Sequence, residues 1–358
     1  MTRRQRVEGA AMSGDPYKGA IVKLMREFSH SHNPSTVFSD FVEICALAIS
    51  NRVDTLQVEP REKRYLEIVA KYKTEEVQRF AAMFAQLQLC YRERVEMLGD
   101  PGIGDVHDSG LGDVLGELFM ALELSNDRAG QFFTPHSISM LMAMMTVGDG
   151  ASIREQGFVT MQEPACGAGG MVVAAAQAMH HAGLNYPETL HATCVDVDPC
   201  CVHMAYVQLS LLGIPAIVVH GNTISLKVWN VWYTPAHVFV GWGLRLRRRR
   251  DARADTAATV SDDGEAQERD DLHPAQAPVA STIPASSESC MVNGDAACGC
   301  FDDVGAGDVT VALEESHIGK AVASAVSIVD LFEESTVGAS SMKPDRTIFD
   351  AIEQMTLF

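Results

Sequence analysis

The feature that most narrows what this chain can become is a glycine-rich octapeptide, Glu163-Pro164-Ala165-Cys166-Gly167-Ala168-Gly169-Gly170. It stands between a strand-like run, 158–161, and an alanine-rich helical run closed by Gly183. Glycine allows backbone conformations and close approaches that a Cβ would forbid, and the helix behind the turn offers unpaired N–H groups to a polar or anionic ligand. The spacing is Glu-Pro-x-x-Gly-x-Gly-Gly, not the Gly-x-Gly-x-x-Gly of nicotinamide proteins. A second strand-like run covers 190–197. Asp198 then reads as a helix N-cap with Pro199 at the first helical position, and that helix stops at Gly213. Residues 216–219 read as a third strand and 238–241 as a candidate fourth. A βαβαβ order with short turns predicts an α/β, Rossmann-like core with a parallel sheet that carries its ligand at the first strand–helix turn.

Around this unit the chain divides into an N-terminal helical region at 1–115, the core at 116–243, a linker at 244–306 and a C-terminal tail at 307–358. In the first region Phe41, Ile44, Cys45 and Ala48 form one apolar stripe. Val77, Phe80, Phe84, Leu87 and Tyr91 form another at three- and four-residue steps, the mark of helices facing a core. Residues 99–104 read as a loop and 111–124 as a helix. Thr134 reads as an N-cap with Pro135 at the first position of a helix that ends at Gly148. The linker opens with Arg245 and Arg247–Arg250 and continues with little periodic hydrophobicity, a composition expected to be disordered. The arginine run reads equally as a phosphate-binding patch or a solvated segment. Residues 308–335 carry a weak strand and helix signal.

The formal net charge is −19. A field of that sign repels nucleic acid on average, so any contact with DNA requires a local basic patch or a partner. No secretory signal and no membrane-length apolar run is visible, and the nine cysteines read as reduced thiols of a cytoplasmic protein. Cys290, Cys298 and Cys300 lack a fourth ligand, so no metal is assigned.

Three motifs in order carry a family resemblance: Gly130-Gln131-Phe132-Phe133-Thr134-Pro135, then Glu163 to Gly170, then Gly221-Asn222-Thr223. Over residues 110–225 the chain resembles the adenine-N6 DNA methylases, in particular the modification subunits of type I restriction systems. Glu163 stands where that family usually has Asp. The resemblance implies S-adenosylmethionine as cofactor and methyl transfer to adenine N6 in DNA. It places Phe133, Thr134 and Pro135 at the methionine end of the cofactor, and Glu163, Cys166, Gly167 and Gly169 around its methionine and sugar. Asp196 falls on the ribose and Asn222 on the adenine ring. Asp196 also follows from the residues themselves. A carboxylate can accept from both ribose hydroxyls, and this one follows the glycine turn at an interval near the ~20 residues expected. Asp198 competes for the role, but its place before Pro199 favours capping. For Asn222 a plain turn role is the alternative.

The family takes its target base with Asn or Asp, two prolines, then Tyr or Phe, and no such tetrapeptide occurs in this chain. At the corresponding distance stand Tyr233, Thr234 and His237, which become the candidate catalytic residues. The alternative is a cofactor-binding protein without transfer activity, accessory to DNA or to the replication clamp. The resemblance also implies DNA and a specificity or complementing subunit as partners. The last residues, Gln354-Met355-Thr356-Leu357-Phe358, resemble a sliding-clamp-binding peptide, with Gln354, Leu357 and Phe358 as anchors.

Overall fold

The computed structural model describes residues 15–28, 32–99, 110–122, 124 and 133–252. The linker beyond 252, the clamp-like peptide and Gly130–Phe132 lie outside the described residues. The described residues up to Arg247 belong to one compact unit, and those from Arg248 on to another. The sheet and the helices packed on it belong to the first.

Four long helices open the chain. Helix α1 is Pro16–Arg26, started by Asp15, whose carboxylate accepts from Tyr17 N and Lys18 N. Helix α2 is Pro34–Ser50, α3 is Val58–Val69 and α4 is Thr74–Leu98. The expected stripes face inward: Phe41, Ile44, Cys45, Phe80, Phe84, Leu87 and Tyr91 are all buried. A shorter α5, Val114–Ala121, follows.

Helix α6 is His136–Val147. Its N-cap is Pro135, not Thr134, because Pro135 has extended geometry (ψ 137°) and so stands before the first helical residue. Helix α7 is Ala151–Gln156, and the sheet unit then begins: β1 Val159–Glu163, α8 Gly170–His181, α9 Tyr186–Thr189, β2 Leu190–Asp196, α10 Pro199–Leu211, β3 Ala216–Asn222. Strands β1, β2 and β3 are parallel neighbours in that order.

The fourth strand is not 238–241. It is β4, Lys227–Tyr233, antiparallel to β3 with an irregularity at His220/Gly221. Its valines and aromatic residues suit a pleated, half-buried surface. Residues 235–239 form instead a short helix, α11 (Pro235–Phe239), because Thr234 caps it and Pro235 fits its first position. Residues 242–252 are again helical, so regular structure continues past the expected linker start at 244.

Helix α10 is apolar on every side, as a helix enclosed by protein must be; all residues from Cys201 to Leu211 are buried. It lies between α2 and the sheet. With α8 it covers the face formed by Ala192, Cys194, Ala216, Val218 and Trp232. The opposite face carries Ile217, Val219 and Tyr233, with Val195, Val228, Val231 and Val238 as their apolar neighbours.

Candidate cofactor site

The glycine turn is built by two residues at positive φ. Gly167 has φ 52° and Gly169 φ 88°, values that cost an L side chain roughly 1–2 kcal/mol. A Cβ on Gly167 would stand 2.9 Å from Cε1 of Phe133, so the aromatic ring of the upstream motif rests directly on the turn. A Cβ on Gly169 would meet Ala205 at 3.5 Å, which brings the turn close to α10.

Asp196 ends β2 and faces this turn. Its Oδ2 accepts from Gly167 N at 2.8 Å and its Oδ1 accepts from Asp198 N at 2.9 Å. Burial pushes its carboxyl above the usual range, against the two N–H donors that favour the charged form. Asp198 has the role its sequence setting gave it: its Oδ1 accepts from Cys200 N at 2.8 Å and caps α10.

The end of β3 closes the other side. Thr223 Oγ1 donates to Pro164 O at 2.7 Å, tying that strand end to the octapeptide. Asn222 Oδ1 accepts from Ile224 N and Ser225 N, the turn role. Glu163, Pro164, Asn222 and Thr223 together line the head of an open groove on the face of the sheet opposite α8 and α10. Its floor is apolar, with Val195, Ile217, Val219, Val231 and Tyr233. Burial raises the Glu163 carboxyl, opposed by the Ala165 N–H. Gly167 and Asp196 do not line this groove; they stand at the same strand ends, on the Phe133 side.

The structure therefore brings Phe133, Gly167 and Asp196 into one contact chain, and Glu163 and Asn222 into one groove wall. Thr134 and Pro135 are exposed beside Phe133. Cys166 is buried, and its thiol turns inward. The neighbouring Cys194 and then burial raise it well above the usual thiol range, so it offers the turn its backbone and not a reactive sulfur.

Thr234 and His237 are not brought to this site, and Tyr233 reaches only the far part of the groove floor. Because β4 is antiparallel, Tyr233 pairs with Ile217. Thr234 Oγ1 donates to Ile214 O at 3.0 Å and accepts from Ala216 N at 2.8 Å, at the opposite end of β3. Four to six residues of strand separate that end from the octapeptide, about 13–20 Å. All three residues are buried. His237 Nδ1 lies 2.8 Å from His191 Nε2, a contact that uses its polar edge.

Two residues behind the turn, Gln208 and Asp113, were not among the expected site residues. Gln208 Nε2 donates to Ala168 O at 2.8 Å, inside the octapeptide, and to Asp113 Oδ1 at 2.9 Å. Its Oε1 accepts from Leu115 N at 2.8 Å and from the Tyr91 hydroxyl. Asp113 caps α5 through Gly116 N at 2.9 Å. Its Oδ2 stands 2.7 Å from where a Cβ on Gly170 would be, and burial raises its carboxyl. One signal was available: a glutamine inside a helix that is apolar all round must find partners for its amide.

Residues 108–241 match the family model described as N-6 DNA Methylase. Over this segment the chain is similar to that family. The match takes in the octapeptide, Asp196 and the Gly221-Asn222-Thr223 end of β3. A crystal structure of the type I restriction-modification system methyltransferase subunit from Streptococcus thermophilus is similar over 57% of this chain and 57% of its own, at 14% identity and a TM-score of 0.29. The chain thus spans a little over half the length of that structure. No curated protein matches it. The matched segment takes in the sheet and α8 and α10. The helices before residue 108 are joined to it through α2 against α10.

Proposed function

We propose that the methylase segment binds S-adenosylmethionine at the β1, β2 and β3 ends and transfers its methyl group to adenine N6 in DNA. The observation that carries the reading is Asp196, held against Gly167 by a 2.8 Å hydrogen bond at the strand end beside the glycine turn. The donor set suits a sulfonium nucleoside. Asp196 keeps acceptor capacity for ribose hydroxyls, since an ionised carboxylate has about four lone-pair sites and two are used. The N–H groups that begin α8 suit the amino-acid carboxylate. Phe133 and Pro135 supply an apolar wall, Asn222 an amide for the adenine ring, and Glu163 a half-buried carboxyl beside it. When bound, the cofactor supplies an activated methyl group. The chain's own residues orient the nucleoside and exclude water from one side of the turn.

A second reading rests on the burial of Thr234 and His237 away from the turn. In it the protein binds the cofactor and transfers nothing by itself, acting as an accessory to DNA or as one part of a complex with a specificity or complementing subunit. Incubating the full chain with tritiated S-adenosylmethionine and unmethylated DNA separates the two. Label in N6-methyladenine supports transfer, and its loss in Asp196→Ala ties it to this site. Cofactor binding without label supports the second reading. A folded protein that does neither discards both.

A further inference from the structure

The glycine turn is pinned at both ends. Cys166 N donates to Val195 O at 2.9 Å and Gly167 N to Asp196 Oδ2 at 2.8 Å, so the turn enters on two bonds to β2. It leaves through Gly169 O, which accepts from Val172 N and Val173 N, both at 3.0 Å, in the first turn of α8. Between these anchors lies the peptide that joins Ala168 to Gly169. Its N–H donates to Cys166 O at 2.8 Å, and its carbonyl turns back into the protein to meet Gln208 Nε2 at 2.8 Å.

This is the peptide that the turn is least able to hold by itself. Rotating it changes chiefly ψ of Ala168 and φ of Gly169. Gly169 stands at φ 88°, and glycine accepts either sign of φ. The rotated form carries the Ala168 carbonyl away from α10, toward the start of α8, where the first N–H groups have no intrahelical partner. A carbonyl lone pair there opposes the anionic group that those N–H groups suit.

Gln208 supplies the anchor from outside the turn, and its amide has one possible orientation. Leu115 N can only donate, and it bonds Oε1 at 2.8 Å. Ala168 O can only accept, so Nε2 must face it. The Tyr91 hydroxyl on Oε1 and Asp113 Oδ1 at 2.9 Å from Nε2 complete the four bonds. Gln208 is fully buried, with Val207 and Leu209 buried beside it. An apolar side chain would serve packing at this position, whereas an amide is costly unless every bond is made. What the amide adds is a fixed donor aimed at the one carbonyl whose direction the glycines leave free.

We propose that Gln208 is a positioning residue for the cofactor: it locks the Ala168–Gly169 peptide in the orientation that leaves the turn open to a ligand. Tyr91 acts one step further back, by fixing the amide of Gln208. The inference rests on the cofactor reading above and adds to it a residue that touches no ligand.

Three variants of the full chain test it beside the native protein, each measured at a temperature where circular dichroism shows it folded. Gln208→Met keeps the length of the side chain and removes all four bonds. Tyr91→Phe removes one. Tyr186→Phe is the control: it removes a buried hydroxyl that donates to Leu212 O at 2.8 Å, before the starts of β2 and β3. S-adenosylmethionine affinity is read by calorimetry, and exchange of the Gly169 amide by NMR, relative to amides in the middle of α2. Gln208→Met is expected to bind about tenfold more weakly and to exchange the Gly169 amide roughly tenfold faster. Tyr91→Phe shifts both in the same direction by a smaller factor, and it decides should Gln208→Met fail to fold. Tyr186→Phe changes neither. Native-strength binding by every folded Gln208 and Tyr91 variant overturns the inference and leaves the cofactor reading standing. Equal weakening in Tyr186→Phe overturns it too, because the effect is then one of general stability. A native chain that binds no cofactor removes the reading and this inference with it.

Discussion

Gln208 uses both amide hydrogens and both lone pairs of its carbonyl inside the protein. Gln208→Leu therefore leaves Ala168 O, Leu115 N, Asp113 and the Tyr91 hydroxyl short of a partner where water cannot replace it. Leaving buried polar groups unpaired costs about 1–3 kcal/mol each at most, so a loss of roughly 2–4 kcal/mol is expected by chemical denaturation. Gly167→Ala places a methyl group against Phe133 at φ 52°. It is expected to lower stability by about 1–2 kcal/mol and to weaken cofactor binding, because the turn can relieve the contact only by moving. Gln208 gave only the general signal of an amide in an apolar helix, and Asp113 none, since their partners lie more than 90 residues away. Asp196 and Asp198 were legible, because a strand end before a proline gives each a local reason for its place.

At the scale of elements, three histidines set the acid limb of stability. Burial lowers His203 and His237 to about 4 and His191 well below its ordinary value. The unfolded chain therefore binds more protons than the folded one between about pH 4 and 6.5, and stability rises with pH across that window. The unfolding free energy from urea titration should fall as pH is lowered from 7 to 5, by up to roughly 1.4 kcal/mol per pH unit for each histidine. His237→Gln should flatten the slope, and an unchanged slope would place the acid sensitivity elsewhere. Thr234→Val removes an N-cap and two hydrogen bonds to the β3 start, and should cost about 1–2 kcal/mol in a thermal melt. The βαβαβ unit was readable because each of its turns carries its own punctuation: Gly167–Gly170, Gly183, Asp198-Pro199 and Gly213. Strand β4 was not. Its Trp-rich run sits directly after a tight turn in which Leu226 takes φ 56°, a residue type that gives no warning of it. Its antiparallel direction puts Thr234 at the end of β3 far from the octapeptide.

At the scale of the molecule, a formal charge of −19 means that the proposed contact with DNA requires a local basic patch or a partner. Helix α2 packs on α10 and Tyr91 of α4 donates to Gln208, so the glycine turn is held from behind by residues outside the matched segment. Whether that turn is a cofactor site is decided by calorimetric titration of the full chain with S-adenosylmethionine, beside Asp196→Ala. Saturable one-to-one binding by the native chain is expected, with a constant at least tenfold weaker for the variant. A folded native chain that gives no binding heat, or a variant that binds as tightly as the native chain, would contradict the assignment.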